Sequence, residues 1–548
     1  MIPVQEDAGA AVSQPTATRG LRLRWALLVA LAGGLLLAAA FPPAGIWPLA
    51  VTGPALLAVA LRDRSLRASF CVGLVFGVAF FFPLLSWVLN TAWYAWTALA
   101  GAEAVIFAVL AIGQRLLLNL RIWPLAVAGW WVAVEAFRDR WPWGGFPWGR
   151  LVMSQAGAPT AGWAAIGGAP FASFAIALVG GTLAWVIVAL TTAAAARRTA
   201  SPPGGTWFQG SRKSLVFAGT AFVASVVAAV IPAAFTVDPV SAQAKTAEVA
   251  AVQGNVPQQR GLAAQLNDSM VTANHAAATN KLAKAIKAGK ISKPQVVIWP
   301  ENSTDIDPEY DSQIFDEIAS TLADVDAPIL VGEILQNPAG TVIRNAGVLW
   351  TPGQGPGPSY VKRRLVPFGE VIPFRSLLQK ITPLTALQPV NFTPGDRSVI
   401  FRIGDIRLGD VICYEIGFDD LVRSEATNSN LLTVQTNDAD FEWDGQTGET
   451  GQQLAMARIS AVEYDRAVAV ASTTGYSALI EPDGKLAAKS GTWRQATLEA
   501  RLPLVSYTTL ADRVGPWPEY VITVLTVLAA AVAAAAAIRG RRSRPKNP

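Results

Sequence analysis

Gly409-Asp410-Val411-Ile412-Cys413-Tyr414-Glu415-Ile416, GDVICYEI, runs from a strand-like segment directly into a cysteine, a tyrosine and a carboxylate. In layered α/β folds the chemistry gathers where strands end, so a thiol at this point is read as chemistry before packing. Cys413 is one of only 2 cysteines in 548 residues. The other, Cys71, lies inside an apolar run, so a disulfide between them is not expected, and no Cys/His group has zinc-site spacing. The only histidine, His275, sits on an Ala-rich helical stretch with no orienting carboxylate at helical spacing. It is expected to be a solvated surface residue, and the chemistry is expected to do without it.

Working outward from Cys413, the segment 246–504 alternates strand and helix signals. Strands are expected at 249–256, 295–300, 328–335, 346–351, 398–401, 408–412, 431–435 and 467–472, with helices at 268–287, 308–322 and 451–464. Apolar strands covered by helices predict an α/β layered domain. Two more strand ends carry polar groups that stability does not require. Val297-Ile298-Trp299-Pro300-Glu301 places a carboxylate after an apolar strand, and the stretch from Tyr360 offers Lys362 and, eight residues on, Glu370. Taken singly, a Glu after a strand is a turn residue, a Lys among arginines is solvated, and a buried Cys is a small hydrophobe. Glu301, Lys362 and Cys413 together, each at the end of an apolar strand of one domain, are a far more specific set.

The rest of the chain belongs to another solvent. Hydrophobic residues make up 52% of it and charged ones only 15%, against about 25% charged in soluble domains. Apolar runs at 24–41, 47–61, 69–90, 95–118, 122–137, 170–195, 215–235 and 519–539 predict eight transmembrane helices, since a span needs about 20 residues. The organisation expected is a cytoplasmic tail 1–22, a seven-helix membrane domain 23–240, a catalytic domain 246–504, an eighth helix 516–540 and a basic tail 541–548. Arg22 and Arg24, Arg62, Arg64 and Arg67, Arg115 and Arg121, Arg197 and Arg198, and Arg539, Arg541 and Arg542 all fall on one side of an eight-span chain. Basic loops stay cytoplasmic, so the catalytic domain is expected outside, and the +5 net charge reads as topology rather than nucleic-acid binding. The loop 137–148 breaks the basic pattern. Its tryptophans read first as an interfacial belt and second as part of a lipid-facing site.

Glu301, Lys362 and Cys413, in that order, resemble the Glu-Lys-Cys triad of the nitrilase (carbon–nitrogen hydrolase) superfamily, which implies an α-β-β-α sandwich. With the spans around it, and with VQGNVPQ, WPEN, KRRLVPFGEVIPF and ICYE, the whole chain resembles the bacterial apolipoprotein N-acyltransferases. That resemblance implies that Cys413 takes an acyl chain from a phospholipid as a thioester, with Glu301 as general base and Lys362 stabilising the oxyanion. The acceptor it implies is the α-amine of a diacylglyceryl-cysteine on an apolipoprotein. It further implies that Glu370 and Glu415 support the lysine and the substrate amine and that Tyr414 lines the site. Two acyl transfers call for no metal, ATP or other cofactor. The protein is expected to be a monomer in the plasma membrane of a bacterium, multi-pass, with the catalytic domain on the outer face and no nucleic-acid partner. The sequence departs from the family pattern at Asn437-Asp438-Ala439-Asp440-Phe441-Glu442, at Gln452 and Gln453 where members often carry histidine, and at Leu262 where some carry tryptophan.

Two other readings compete. A membrane-tethered amidase could use the same triad with water as acceptor, although a tether needs one span rather than eight. A transporter or receptor with a degenerate outer domain would carry charges within its spans, where Glu103 and Glu135 are the obvious acids.

Overall fold

The computed structural model describes residues 21–199, 207–234, 244–256, 268–304, 306–380, 390–439, 441–443 and 445–542. Leu262, Asp440 and most of both terminal tails lie outside them. The apolar runs ahead of the catalytic segment form helices α1 (Leu23–Ala38), α2 (Thr52–Leu61), α3 (Leu66–Leu84), α4 (Trp93–Leu117), α5 (Trp123–Arg138), α6 (Ala164–Thr199) and α7 (Trp207–Val230). Small residues bring α3 and α4 together, as packing without a hydrophobic driving force requires. A Cβ on Gly73 would lie 2.5 Å from the Cβ of Ala111, and one on Gly77 would lie 2.8 Å from the Cα of Ala104.

The catalytic segment is an α-β-β-α sandwich. One sheet holds β1 (Thr246–Gln253), β2 (Val296–Ile298), β3 (Ile329–Gln336), β4 (Ile343–Thr351), β5 (Gly355–Val361) and β12 (Ala496–Pro503), in the order β12-β1-β2-β3-β4-β5. The other holds β6 (Ile400–Ile403), β7 (Ile406–Ile412), β8 (Leu431–Thr436), β9 (Ala467–Ser472), β10 (Ala478–Ile480) and β11 (Leu486–Lys489), in the order β11-β10-β9-β8-β7-β6. Both repeat one pattern: three parallel strands, one antiparallel neighbour on one side and two on the other. The sheets meet so closely at Gly347 of β4 that a Cβ there would lie 2.3 Å from Asp410 Oδ2 of β7 and displace that side chain.

Helices α8 (Asp268–Lys287) and α9 (Ser312–Val325) cover the first sheet. Trp299 and Trp350 are fully buried under them, each contributing about 1.5–3 kcal/mol or more by leaving water. His275 is fully buried here, contrary to the surface position expected from the sequence. Its ring lies 5.7 Å from that of Trp299, and its Nδ1 donates to Val271 O at 2.7 Å. The Ala-rich face of α8 that disguised it is the face that packs on the sheet, through Ala276, Ala278 and Ala283. Helices α10 (Asp419–Ala426) and α11 (Gly448–Tyr464) pack on the second sheet.

The chain then enters α12 (Trp517–Arg542). Among the described residues, five helices are long and apolar enough to cross a membrane: Leu66–Leu84, Trp93–Leu117, Pro159–Ala195, Arg212–Val230 and Trp517–Arg539. The other three of the eight expected spans are shorter apolar helices, α1 and α5 having 16 residues each and α2 having 10. Leu28, Val216, Phe217, Leu525 and Val532 point outward with more than half of their surface exposed, a display suited to lipid rather than water. Glu103 and Glu135, the two acids that would suit a transporter, are instead tied to the loop after α5. Glu103 accepts from Arg138, whose Nη2 also holds Trp148 O at 2.7 Å, and Glu135 accepts from Leu151 N at 2.8 Å.

Candidate active site

Each of the three expected side chains leaves the end of a strand, and the two sheets bring them to one end of the sandwich. Glu301 follows β2 by a tight turn in which Asn302 adopts φ 52°. The turn fits because β3 offers Gly332 beside it, where a Cβ would lie 2.1 Å from Pro300 O. Lys362 directly follows β5, and Cys413 directly follows β7. Cys413 itself sits at φ 51°, a left-handed conformation that L residues avoid at a cost of about 1–2 kcal/mol. Such strain at a strand-to-helix turn presents a side chain at the end of its strand, as nucleophile-bearing turns do.

Glu301 and Lys362 form a buried ion pair, Nζ to Oε1 at 2.8 Å. Lys362 also donates to Glu370 Oε1 at 2.9 Å, so its charge is shared between two carboxylates. Asn345, inside β4, donates to Glu301 Oε1 at 2.6 Å and Glu370 Oε1 at 3.0 Å, and so locks both acids around the lysine. The second Glu301 oxygen accepts from Asn437 N at 2.9 Å. Burial lifts the Glu301 carboxyl above its ordinary value even though the Lys362 ammonium pulls it down. Burial would lower Lys362, but Glu301 and Glu370 outweigh it and hold the ammonium well above its usual range. The Cys413 thiol is pushed well above its ordinary value by burial and then by the Glu301 carboxylate, against the pull of Lys362. The resting arrangement is therefore a neutral thiol beside a carboxylate–ammonium pair. Burial makes Glu301 a stronger base than an ordinary carboxylate.

Glu415 lies fully buried behind this group. It accepts from Arg363 N at 2.6 Å, Arg364 N at 2.9 Å, Ile412 N at 2.9 Å and the Tyr360 hydroxyl at 2.9 Å. One carboxylate thus fixes the backbone on both sides of the site, just beyond Lys362 and just before Cys413. Tyr414 donates its hydroxyl to Gly145 O at 2.6 Å, and its ring stacks on Trp148 with centroids 5.6 Å apart. Trp148 is buried against the catalytic domain, whereas Trp141 and Trp143 are more than half exposed.

Four partners escaped the sequence reading as site residues. Asn345 carries no signal, because an Asn inside a strand is ordinary. Thr436 and Glu449 lie close enough to Cys413 to act on the thiol, and Gln453, visible in sequence only as a departure from histidine, approaches its Sγ at 3.6 Å.

Residues 33–182 match the family model described as Apolipoprotein N-acyltransferase N-terminal domain, and residues 248–512 match Carbon-nitrogen hydrolase. The chain is 34% identical over 545 residues to the apolipoprotein N-acyltransferase of Mycolicibacterium smegmatis, covering 95% of this chain and 88% of that protein. It is 28% identical over 522 residues to the apolipoprotein N-acyltransferase of Azotobacter vinelandii, covering 91% of this chain and 93% of that protein. Among solved structures, an amidase from Nesterenkonia sp. aligns with TM-score 0.34 at 19% identity, over 49% of this chain and 94% of that one.

Proposed function

The chain belongs to the apolipoprotein N-acyltransferase family, and on that premise we propose how its residues carry out acyl transfer. Glu301 takes the thiol proton as Cys413 Sγ attacks the ester carbonyl of a phospholipid. Lys362 faces the oxyanion of the tetrahedral intermediate, and Glu301 returns the proton to the departing alcohol of the lysophospholipid. The α-amine of a diacylglyceryl-cysteine then attacks the thioester, gives its proton to Glu301, and Cys413 is released as a thiol. Glu370 and Asn345 hold the lysine and the base, Glu415 fixes the two backbones, and Tyr414 ties the nucleophile turn to the membrane loop. Burial of the thiol keeps water from the thioester, while contact with the membrane helices suits two lipid-borne substrates. The site lies on the outer side of the bacterial membrane, in a chain that works as a monomer.

The observation that carries this reading is the Glu301–Lys362 ion pair of 2.8 Å set beside a buried thiol at the end of β7. Incubating the protein with phospholipid and no acceptor should leave it heavier by one acyl chain on Cys413. Glu301→Gln and Cys413→Ser should not load, because one lacks a base and the other presents a hydroxyl that is far harder to ionise. A diacylglyceryl peptide with a free N-terminal amine should discharge the chain, and one with a blocked amine should not. Loss of the acyl group to water with no transfer to the peptide would favour an amidase instead.

A further inference from the structure

Gln453 stands on α11 with its amide held at both ends. Thr436 Oγ1 donates to its Oε1 at 2.9 Å, and its Nε2 donates to Glu449 Oε1. Glu449 and Gln453 are both buried, the first almost completely. As placed, the amide turns its oxygen to the Thr436 hydroxyl and its nitrogen to the Glu449 carboxyl, which sets Nε2 on the side of Cys413. Its remaining N–H is left beside Cys413 Sγ, 3.6 Å from Nε2, a normal separation for a hydrogen bond to sulfur.

We propose that Gln453 is a catalytic residue whose side-chain N–H stabilises the Cys413 thiolate, with Glu449 and Thr436 as the positioning residues that aim it. The proposal rests on Cys413 being the nucleophile. The sulfur bears negative charge twice in the cycle, when the thiol gives its proton to Glu301 and when the thioester collapses and sulfur leaves. A donor that prefers the charged sulfur lowers both barriers and takes up no proton itself. Burial and the Glu301 carboxylate work against the thiolate, and only Lys362 among the charged groups facing the sulfur favours it, Glu449 being the third such group. A neutral N–H helps without adding a charge that would disturb the Glu301–Lys362 pair. A histidine at this helical position could supply an N–H in the same way.

The test reads thiol ionisation directly. The full-length protein in detergent is treated with iodoacetamide across a pH series, and alkylation of Cys413 is followed on its own peptide, so that Cys71, on α3, does not enter the readout. Gln453→Leu should move the midpoint of the profile up by about one unit, the size expected for losing a hydrogen bond to a charged group. At a fixed pH below the midpoint the rate should fall about tenfold. Gln453→His should bring the midpoint back toward the wild-type value. If Gln453→Leu fails to reach wild-type levels in the membrane, Gln453→Met, of similar length and uncharged but lacking the N–H, is read instead and should shift the same way. An unchanged midpoint would overturn the proposal even if acyl transfer were lost. So would a downward shift, which would mean that Gln453 accepts from the thiol, or a histidine variant that titrates like the leucine one. Thiol titration needs no acyl substrate, so its failure is distinct from failure of the wild-type protein to load phospholipid.

Discussion

Glu301 and Cys413 were legible because an apolar strand leads into each, where stability asks for nothing charged or reactive, and Lys362 only as a member of the set they form. Asn345 was not, since its importance lies in reaching across β4 to two carboxylates that only the folded sheet brings together. His275 was misread for a related reason. Alanine packs on a sheet as well as it faces water, so an Ala-rich helix does not announce its buried side. The burial has a measurable consequence. The ring is neutral in the fold, its pKa lowered by burial from 6.5 to about 4, while the unfolded chain binds a proton below about pH 6.5. Unfolding therefore takes up a proton between those values, and stability falls as the pH drops through that window, by up to about 3 kcal/mol. Above about pH 6.5 the group contributes no slope. His275→Asn keeps an N–H for the Val271 carbonyl but cannot titrate. Thermal melts at about pH 7 and pH 4.5 should show a smaller acid loss in this variant than in the wild type, and an equal loss would contradict the account.

At the scale of elements, the strands read from sequence were those with apolar runs, and the missed ones are informative. Gly355-Pro356-Gly357-Pro358-Ser359-Tyr360-Val361 has no strand propensity, yet it pairs antiparallel with β4 from Ala346↔Val361 to Thr351↔Gly355. Proline is tolerated there because β5 is an edge strand, and the edge position is what lets Lys362 turn into the site. β12 mixes charges with small residues and becomes a strand by closing the other edge against β1. The five-residue turn Cys413–Gly417 links the catalytic sandwich to the membrane loop through Tyr414. Tyr414→Phe removes the hydroxyl and leaves Gly145 O without that partner, at a cost of about 1–2 kcal/mol. Trp148→Ala removes the stacked ring as well and should cost more, about 3 kcal/mol or above. Both should slow acyl loading of Cys413 at matched membrane levels, the tryptophan variant more severely. Equal loading in both variants and the wild type would mean that the turn does not depend on the loop.

At the scale of the whole molecule, the question is which ends of the helices share a side. The catalytic domain touches three inter-helix connections: the one after α1, where Gln452 donates to Pro42 O at 3.2 Å; the one after α3, where Asn90 donates to Phe441 O at 2.7 Å; and the one after α5, where Arg150 grips Asp419 through two bonds of 2.8 Å. The arginines gather at the other ends of these helices. Arg64 donates to Leu21 O just ahead of α1, and Arg115 near the end of α4 donates to Arg64 O at 2.9 Å. Alternate connections thus face opposite ways, uncharged or mixed beside the catalytic domain and basic away from it, which is the arrangement that retains basic loops in the cytoplasm. The short helices α1, α2 and α5 take part in this alternation alongside the longer α3 and α4. A reporter that is active only in the cytoplasm, fused after Arg64 or at Pro548, should be active. The same reporter fused after Ser506, beyond β12, should be silent. Because one uncounted or surplus crossing between α2 and the catalytic domain would invert the Ser506 result while leaving Arg64 unchanged, the two fusions together test both the direction and the parity of the spans. An active Ser506 fusion would place the thiol on the cytoplasmic side and remove the outer-face assignment.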